Sequence, residues 1–120
     1  MDAAYAVSSL ARVHLETGDP VLAEEHARKA LELLGDSDDL LDEIGNVQLV
    51  LGRALLDQGR LEEADGALAA AHKSFEQLGS AGHRSAGLLA RGQLAEHRGD
   101  HPEAARLYKN AAELLQDVRF

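Results

Sequence analysis

Cysteine and tryptophan are absent from this 120-residue chain, methionine occurs once, and aromatic residues make up only 3% of it. Without cysteine there can be no disulfide framework and no thiolate metal site, which fits a reducing compartment. With so few aromatic rings, the core has to be built from aliphatic side chains and alanine. No run of 18 apolar residues exists, so no membrane span is expected. Residues 1–10 lack the basic start of a secretory signal, and the expected location is the cytoplasm. There is no glycine-rich phosphate loop, no G-x-S-x-G string and no thiol nucleophile, so the chain is not expected to be an enzyme or to hold a cofactor.

Basic charge is also scarce. Residues 1–65 carry fifteen acidic and five basic side chains, a net of −10, whereas residues 66–120 carry six and seven, a net of +1. An acidic half repels phosphate backbones, so direct nucleic-acid binding is not expected. Arg84, Arg91 and Arg98 recur every seven residues, as a solvated stripe or a partner for the acidic half. Arginine outnumbers lysine nine to three, the codon bias of a GC-rich bacterial genome. Six histidines invite a metal reading. His97 and His101 are four apart, but Gly99 and Pro102 break the helix that would place them on one face, so no metal site is expected. The acidic pairs Asp38-Asp39 and Glu62-Glu63 fall at helix starts, where the helix dipole favours them.

What the chain has is repetition. Gly18, Gly59 and Gly99 anchor three versions of one string, 41 and then 40 residues apart. Seven residues before each anchor stands a small residue (Ala11, Gly52, Gly92). Five after it stands alanine (Ala23, Ala64, Ala104), and twelve after it alanine again (Ala30, Ala71, Ala111). Nine after it the residue varies: Ala27, Leu68, Tyr108. Self-similarity at this period signals a stacked array of supersecondary units. Apolar spacing of three and four predicts six helices and no strand. The first opens with Ala3, Ala4, Val7, Leu10, Ala11 and His14. The others run from about Pro20 to Leu34, Asp39 to Gln58, Leu61 to Leu78, His83 to Arg98 and Pro102 to Val118. Thr17-Gly18-Asp19-Pro20 and Gly99-Asp100-His101-Pro102 are matching stop-and-start turns, with glycine past one helix end, aspartate as cap and proline in the next first turn.

These strings resemble the tetratricopeptide repeat, best in Leu51-Gly52…Leu55…Gly59-Arg60-Leu61…Ala64…Leu68…Ala71 and in Leu10-Ala11…His14…Gly18…Ala23…Ala27…Ala30. The resemblance implies an all-α fold, a right-handed α-solenoid of three helix hairpins. One domain would span 1–120, with repeats at about 2–35, 38–79 and 81–118. The period exceeds the family's usual 34. Longer repeats of this kind are similar to the sensing modules of bacterial, notably actinobacterial, transcriptional regulators. Two departures stand out. His14 and Ala95 occupy a slot usually given to tyrosine or leucine. Arg91 replaces an expected leucine, and either faces solvent or pairs with a carboxylate.

The resemblance also implies a function: binding a protein or peptide along a concave wall formed by the first helix of each pair. Carried onto this sequence, the wall comprises Tyr5, Ser8, Arg12 and Glu16, then Asn46, Leu49, Arg53 and Asp57, then Leu89, Gln93 and His97. Arg12, Arg53 and Gln93 would form one row, with Glu16, Asp57 and His97 beside it. The arginines would either take a partner's carboxylate or pair with the acidic row. A second surface is the array's end. With no seventh helix after the sixth, Leu107, Leu114, Leu115, Val118 and Phe120 would serve self-association as a homodimer, or mark a module cut from a longer protein. A third reading makes the groove a small-molecule receptor or an accessory surface of an enzyme.

Overall fold

Gly18, Gly59 and Gly99 have positive φ of 85°, 74° and 75°, a conformation that favours glycine, and at each of them one helix ends and an antiparallel one begins. A computed structural model of the protein describes residues 2–116. It contains six α-helices: α1 (Asp2–Glu16), α2 (Pro20–Leu34), α3 (Leu41–Asp57), α4 (Leu61–Leu78), α5 (Ala81–His97) and α6 (His101–Gln116). No strand occurs among the described residues. The closest associations are α1 with α2, α3 with α4 and α5 with α6; α2 packs on α3 and α4 on α5. The chain is thus a helical-repeat solenoid of three hairpins, as the spacing predicts.

Caps fix where the helices begin. Asp19 accepts the Leu22 amide proton at 3.2 Å and Asp100 that of Glu103 at 3.2 Å. Ser80 accepts the His83 amide at 3.3 Å, which starts α5 at Ala81 rather than at His83. Ser37 accepts the Asp39 amide at 3.3 Å and winds Asp38–Leu40 into a 3-10 turn, so α3 starts at Leu41 rather than at Asp39.

Size matching holds each hairpin together. The alanines five and twelve residues after each anchor are all buried. A Cβ on Gly52 would stand 2.4 Å from Leu68 Cδ2, and one on Gly92 2.4 Å from Tyr108 Cε1. In the first hairpin the equivalent positions hold two alanines, Ala11 and Ala27, both in the main core. Where the second helix carries a large residue, the first carries none. Tyr108 also donates its hydroxyl to Glu96, and this hydrogen bond, with burial, pushes the phenol up to about 12. The slot occupied by His14 is filled by an edge-on contact with His26, ring centroids 5.1 Å apart.

A single ring locks the second hairpin to the third. Phe75 is 0% exposed. Cβ atoms at Gly45 and Gly87 would lie 2.5 Å and 3.4 Å from it, and the His83 ring centroid is 5.2 Å away. Glycines in two neighbouring first helices therefore make room for one aromatic side chain.

A polar cluster locks the first hairpin to the second at the opposite edge. Gln58 donates to Glu24 Oε1 at 3.0 Å and to the Pro20 carbonyl at 3.3 Å. Arg60 Nη1 reaches Glu24 Oε1 at 2.6 Å and also pairs with Glu63, while Arg28 Nε holds Glu24 Oε2 at 2.9 Å. Partial burial opposes ionisation of Glu24, but hydrogen bonds from Gln58, Arg28 and Arg60 outweigh it and hold the carboxyl below its ordinary range. A depressed carboxyl contributes stability above its unfolded value of about 4.3 and loses it as pH falls through the folded value. Glu24→Gln should therefore lower the melting temperature at pH 7, and the gap from wild type should close as pH falls below the ordinary carboxylate range. Thermal melts followed by circular dichroism measure this, and a gap constant with pH would exclude the assignment.

Candidate functional site: the wall of first helices

Three first helices run side by side, with α3 in contact with both α1 and α5. Their C-terminal ends enclose two adjoining clefts. One, of about 510 Å³, is lined by Leu56, Asp57, Gln93, Glu96 and His97. The other, of about 270 Å³, is lined by Leu15, Glu16, Arg53, Leu56, Asp57 and Gln93. Leu56, Asp57 and Gln93 belong to both, so the two form one groove with an apolar floor at Leu56 and polar walls. Spacing explains the convergence. Arg53 and Asp57 are four apart on α3, as are Gln93 and His97 on α5, so each pair shares a helix face. His97 Nδ1 lies 2.9 Å from its own helix carbonyl at Gln93, which holds the imidazole along the wall.

Of the eleven wall positions expected from the sequence, five come together here: Glu16, Arg53, Asp57, Gln93 and His97. The other six do not line the groove. Ser8 is only 4% exposed and donates to Glu43 of α3 at 2.5 Å, so it joins helices rather than offering itself to a partner. Leu49 packs against the main core cluster. Asn46 sits seven residues before Arg53, about 10 Å further along the α3 axis. Arg12 and Leu89 are exposed outside both clefts. Tyr5 lines a different cleft, at the far edge of the array. Sequence reasoning missed Leu15, Leu56 and Glu96, which complete the groove. Their signal was a shared place, three residues before Gly18, Gly59 and Gly99.

The acidic row does not neutralise the groove arginine. Among the described residues, the ion pairs join Arg28, Arg60, His72, Arg84, Arg98 and Arg106 to carboxylates on α2, α4 and α6, and neither Arg12 nor Arg53 takes part. Arg91 is half-buried in a small cleft with Asp65, Asp100 and Glu103, and its charge helps to hold Glu103 low, after the larger effect of the Arg106 hydrogen bonds. This places Arg91 among carboxylates rather than in open solvent.

The expected self-association surface requires correction. Leu107 is 3% exposed and packs with Ala95 and Ala104 inside the third hairpin, because three- and four-residue steps from Ala104 and Ala111 set it on the alanine face. Leu114 is half-buried and Leu115 is 49% exposed. Val118 and Phe120 lie outside the described residues.

Stacked antiparallel helix pairs with a side-by-side wall of first helices define a helical-repeat scaffold. A family model described as tetratricopeptide repeat matches residues 4–29, 45–72 and 85–109, one stretch in each hairpin. The chain belongs to the tetratricopeptide-repeat family, a non-catalytic class of protein–protein interaction scaffold. No curated protein matches the chain. Among the described residues no helix is long and apolar enough to cross a membrane, and no group of three or more histidines and carboxylates converges as a metal site would need.

Proposed function

We propose that the groove between α1, α3 and α5 holds an extended segment of a protein partner, with Arg53 taking a carboxylate of that segment and Gln93 its backbone. The observation that carries this reading is the unspent charge of Arg53. It lines a groove beside Gln93 and Leu56, yet it makes no ion pair with Glu16 or Asp57. A guanidinium so placed offers forked donors to an incoming carboxylate. Glu16, Asp57 and Glu96 around it repel acidic segments that miss that geometry, which favours a single well-placed carboxylate over a run of them.

The wider role we propose is that of a sensing or assembly module in a bacterial transcriptional regulator. The long repeat supports it, and the acidic first half supports leaving DNA contact to another domain. If so, the genomic reading frame around this segment encodes a helix-turn-helix. For the groove itself, peptides selected against the wild-type chain from a display library provide the test. Arg53→Ala and Gln93→Ala should each weaken those peptides by roughly tenfold, a loss of about 1.4 kcal/mol, in a fluorescence-anisotropy titration. Unchanged affinity in both variants would remove the groove from consideration.

A further inference from the structure

Positions 34 and 75 are equivalent, each sixteen residues after its anchor glycine. At the junction of the second and third hairpins this position holds Phe75, whose ring closes the space beside Gly45 and His83. At the junction of the first and second hairpins the corresponding residue is Leu34, with Ala4 and Val47 in place of Gly45 and Gly87 and Glu43 in place of His83. A leucine reaches less far than a ring, and a cleft of about 320 Å³ lies beside it. Ala4, Leu33, Leu34 and Leu40 give it an apolar wall, and Asp42 and Glu43 edge it. Tyr5, 60% exposed, adds an aromatic face at the lip.

The charge around this cleft has one sign. Asp36, Asp38 and Asp39 precede it on the link, and no basic residue occurs between Lys29 and Arg53. Among the described residues the ion pairs involve none of Asp36, Asp38, Asp39, Asp42 and Glu43. Ser8 occupies one oxygen of Glu43 and leaves its charge in place.

We infer that this cleft receives an aromatic side chain of a partner protein, with arginine on either side of it. The ring enters from solvent and lies against the apolar wall of Leu33, Leu34 and Leu40. The carboxylates select cationic neighbours, and the Tyr5 face favours a guanidinium laid against it. The site lies on the edge where the inter-hairpin links run, away from the groove at the helix C-termini, and stands independently of the groove reading.

The test uses the whole chain, 15N-labelled, titrated with the capped peptide Gly-Ser-Arg-Phe-Arg-Ser-Gly. Saturable shifts are expected at the amides of Leu34, Leu40 and Asp42. Peptides with alanine for the phenylalanine, or glutamate for both arginines, should bind at least roughly fivefold more weakly. Asp42→Lys should weaken the parent peptide to a similar extent, and Arg53→Ala should leave it unchanged, so failure of the groove reading remains distinguishable. An unchanged melting temperature of Asp42→Lys shows that the loss is not misfolding. Four outcomes overturn the inference. These are shifts that do not saturate, equal affinity for the glutamate peptide, concentration-dependent shifts at the same amides without peptide (a second copy of the chain), and contacts from Met1 to Leu33 or Leu40 that show the chain's own start in the cleft.

Discussion

Phe75→Ala is expected to lower unfolding stability by about 3–5 kcal/mol, the cost of emptying a fully buried aromatic site. The loss should fall near the upper end, because Gly45 and Gly87 have no side chains with which to collapse into the void. It should also be uneven. Stability in a stacked array is approximately the sum of repeat terms and nearest-neighbour interfaces. The ring sits at one such interface, so its removal weakens the coupling of the third hairpin to the rest. Amide exchange should accelerate most in α5 and α6 and least in α1 and α2. Urea denaturation measures the first effect and hydrogen exchange the second. A loss below about 1 kcal/mol, or uniform acceleration across all six helices, would show that the ring is not the lock.

The second large effect concerns the pair Gly52 and Leu68. Leu68→Ala alone should cost about 2–5 kcal/mol through the cavity it leaves. Gly52→Ala alone forces a methyl group against Leu68, where a Cβ would stand 2.4 Å from Cδ2 and 2.7 Å from Cγ. Overpacking of this kind costs about 1–3 kcal/mol, offset by about 1 kcal/mol of helix propensity. The double variant reproduces the Ala11–Ala27 pair of the first hairpin. It should be more stable than the sum of the two losses predicts, by about 1 kcal/mol or more. Denaturant midpoints of the four proteins in the cycle give the coupling directly. Strict additivity would mean that the two positions do not sense each other.

Most of the fold was legible because it is written in small residues at fixed steps. The three anchor glycines and the six alanines that follow them announced the turns and the packing stripe, and α2 and α4 begin and end where spacing and breakers place them. Capping residues explain the small errors. Ser80 starts α5 two residues early, and Ser37 diverts the start of α3 into a tighter turn. The groove was half legible. Apart from Arg12, positions on the last two turns of the first helices converge, whereas those on earlier turns do not, since residues seven apart share a face but lie about 10 Å apart along the axis. Ser8 was misplaced because its partner, Glu43, lies 35 residues away and leaves no local mark. The Glu24–Gln58–Arg60 cluster was invisible for the same reason: its members meet only after consecutive hairpin turns are stacked. Leu107 is different. Its spacing from Ala104 and Ala111 was enough to assign it to the interior.

The matched sizes within each hairpin also govern how such a chain can be cut and rejoined. A crossover at an anchor turn would marry the first helix of one unit to the second helix of another, setting Ala11 against Leu68 or leaving Gly92 opposite Ala27. A crossover in the links, at residues 35–40 or 79–80, carries each pair across intact. Gene duplication, deletion and deliberate grafting should therefore succeed in whole hairpins bounded by those links, with the aromatic joint at Phe75 as the one seam that needs its two glycines to travel with it.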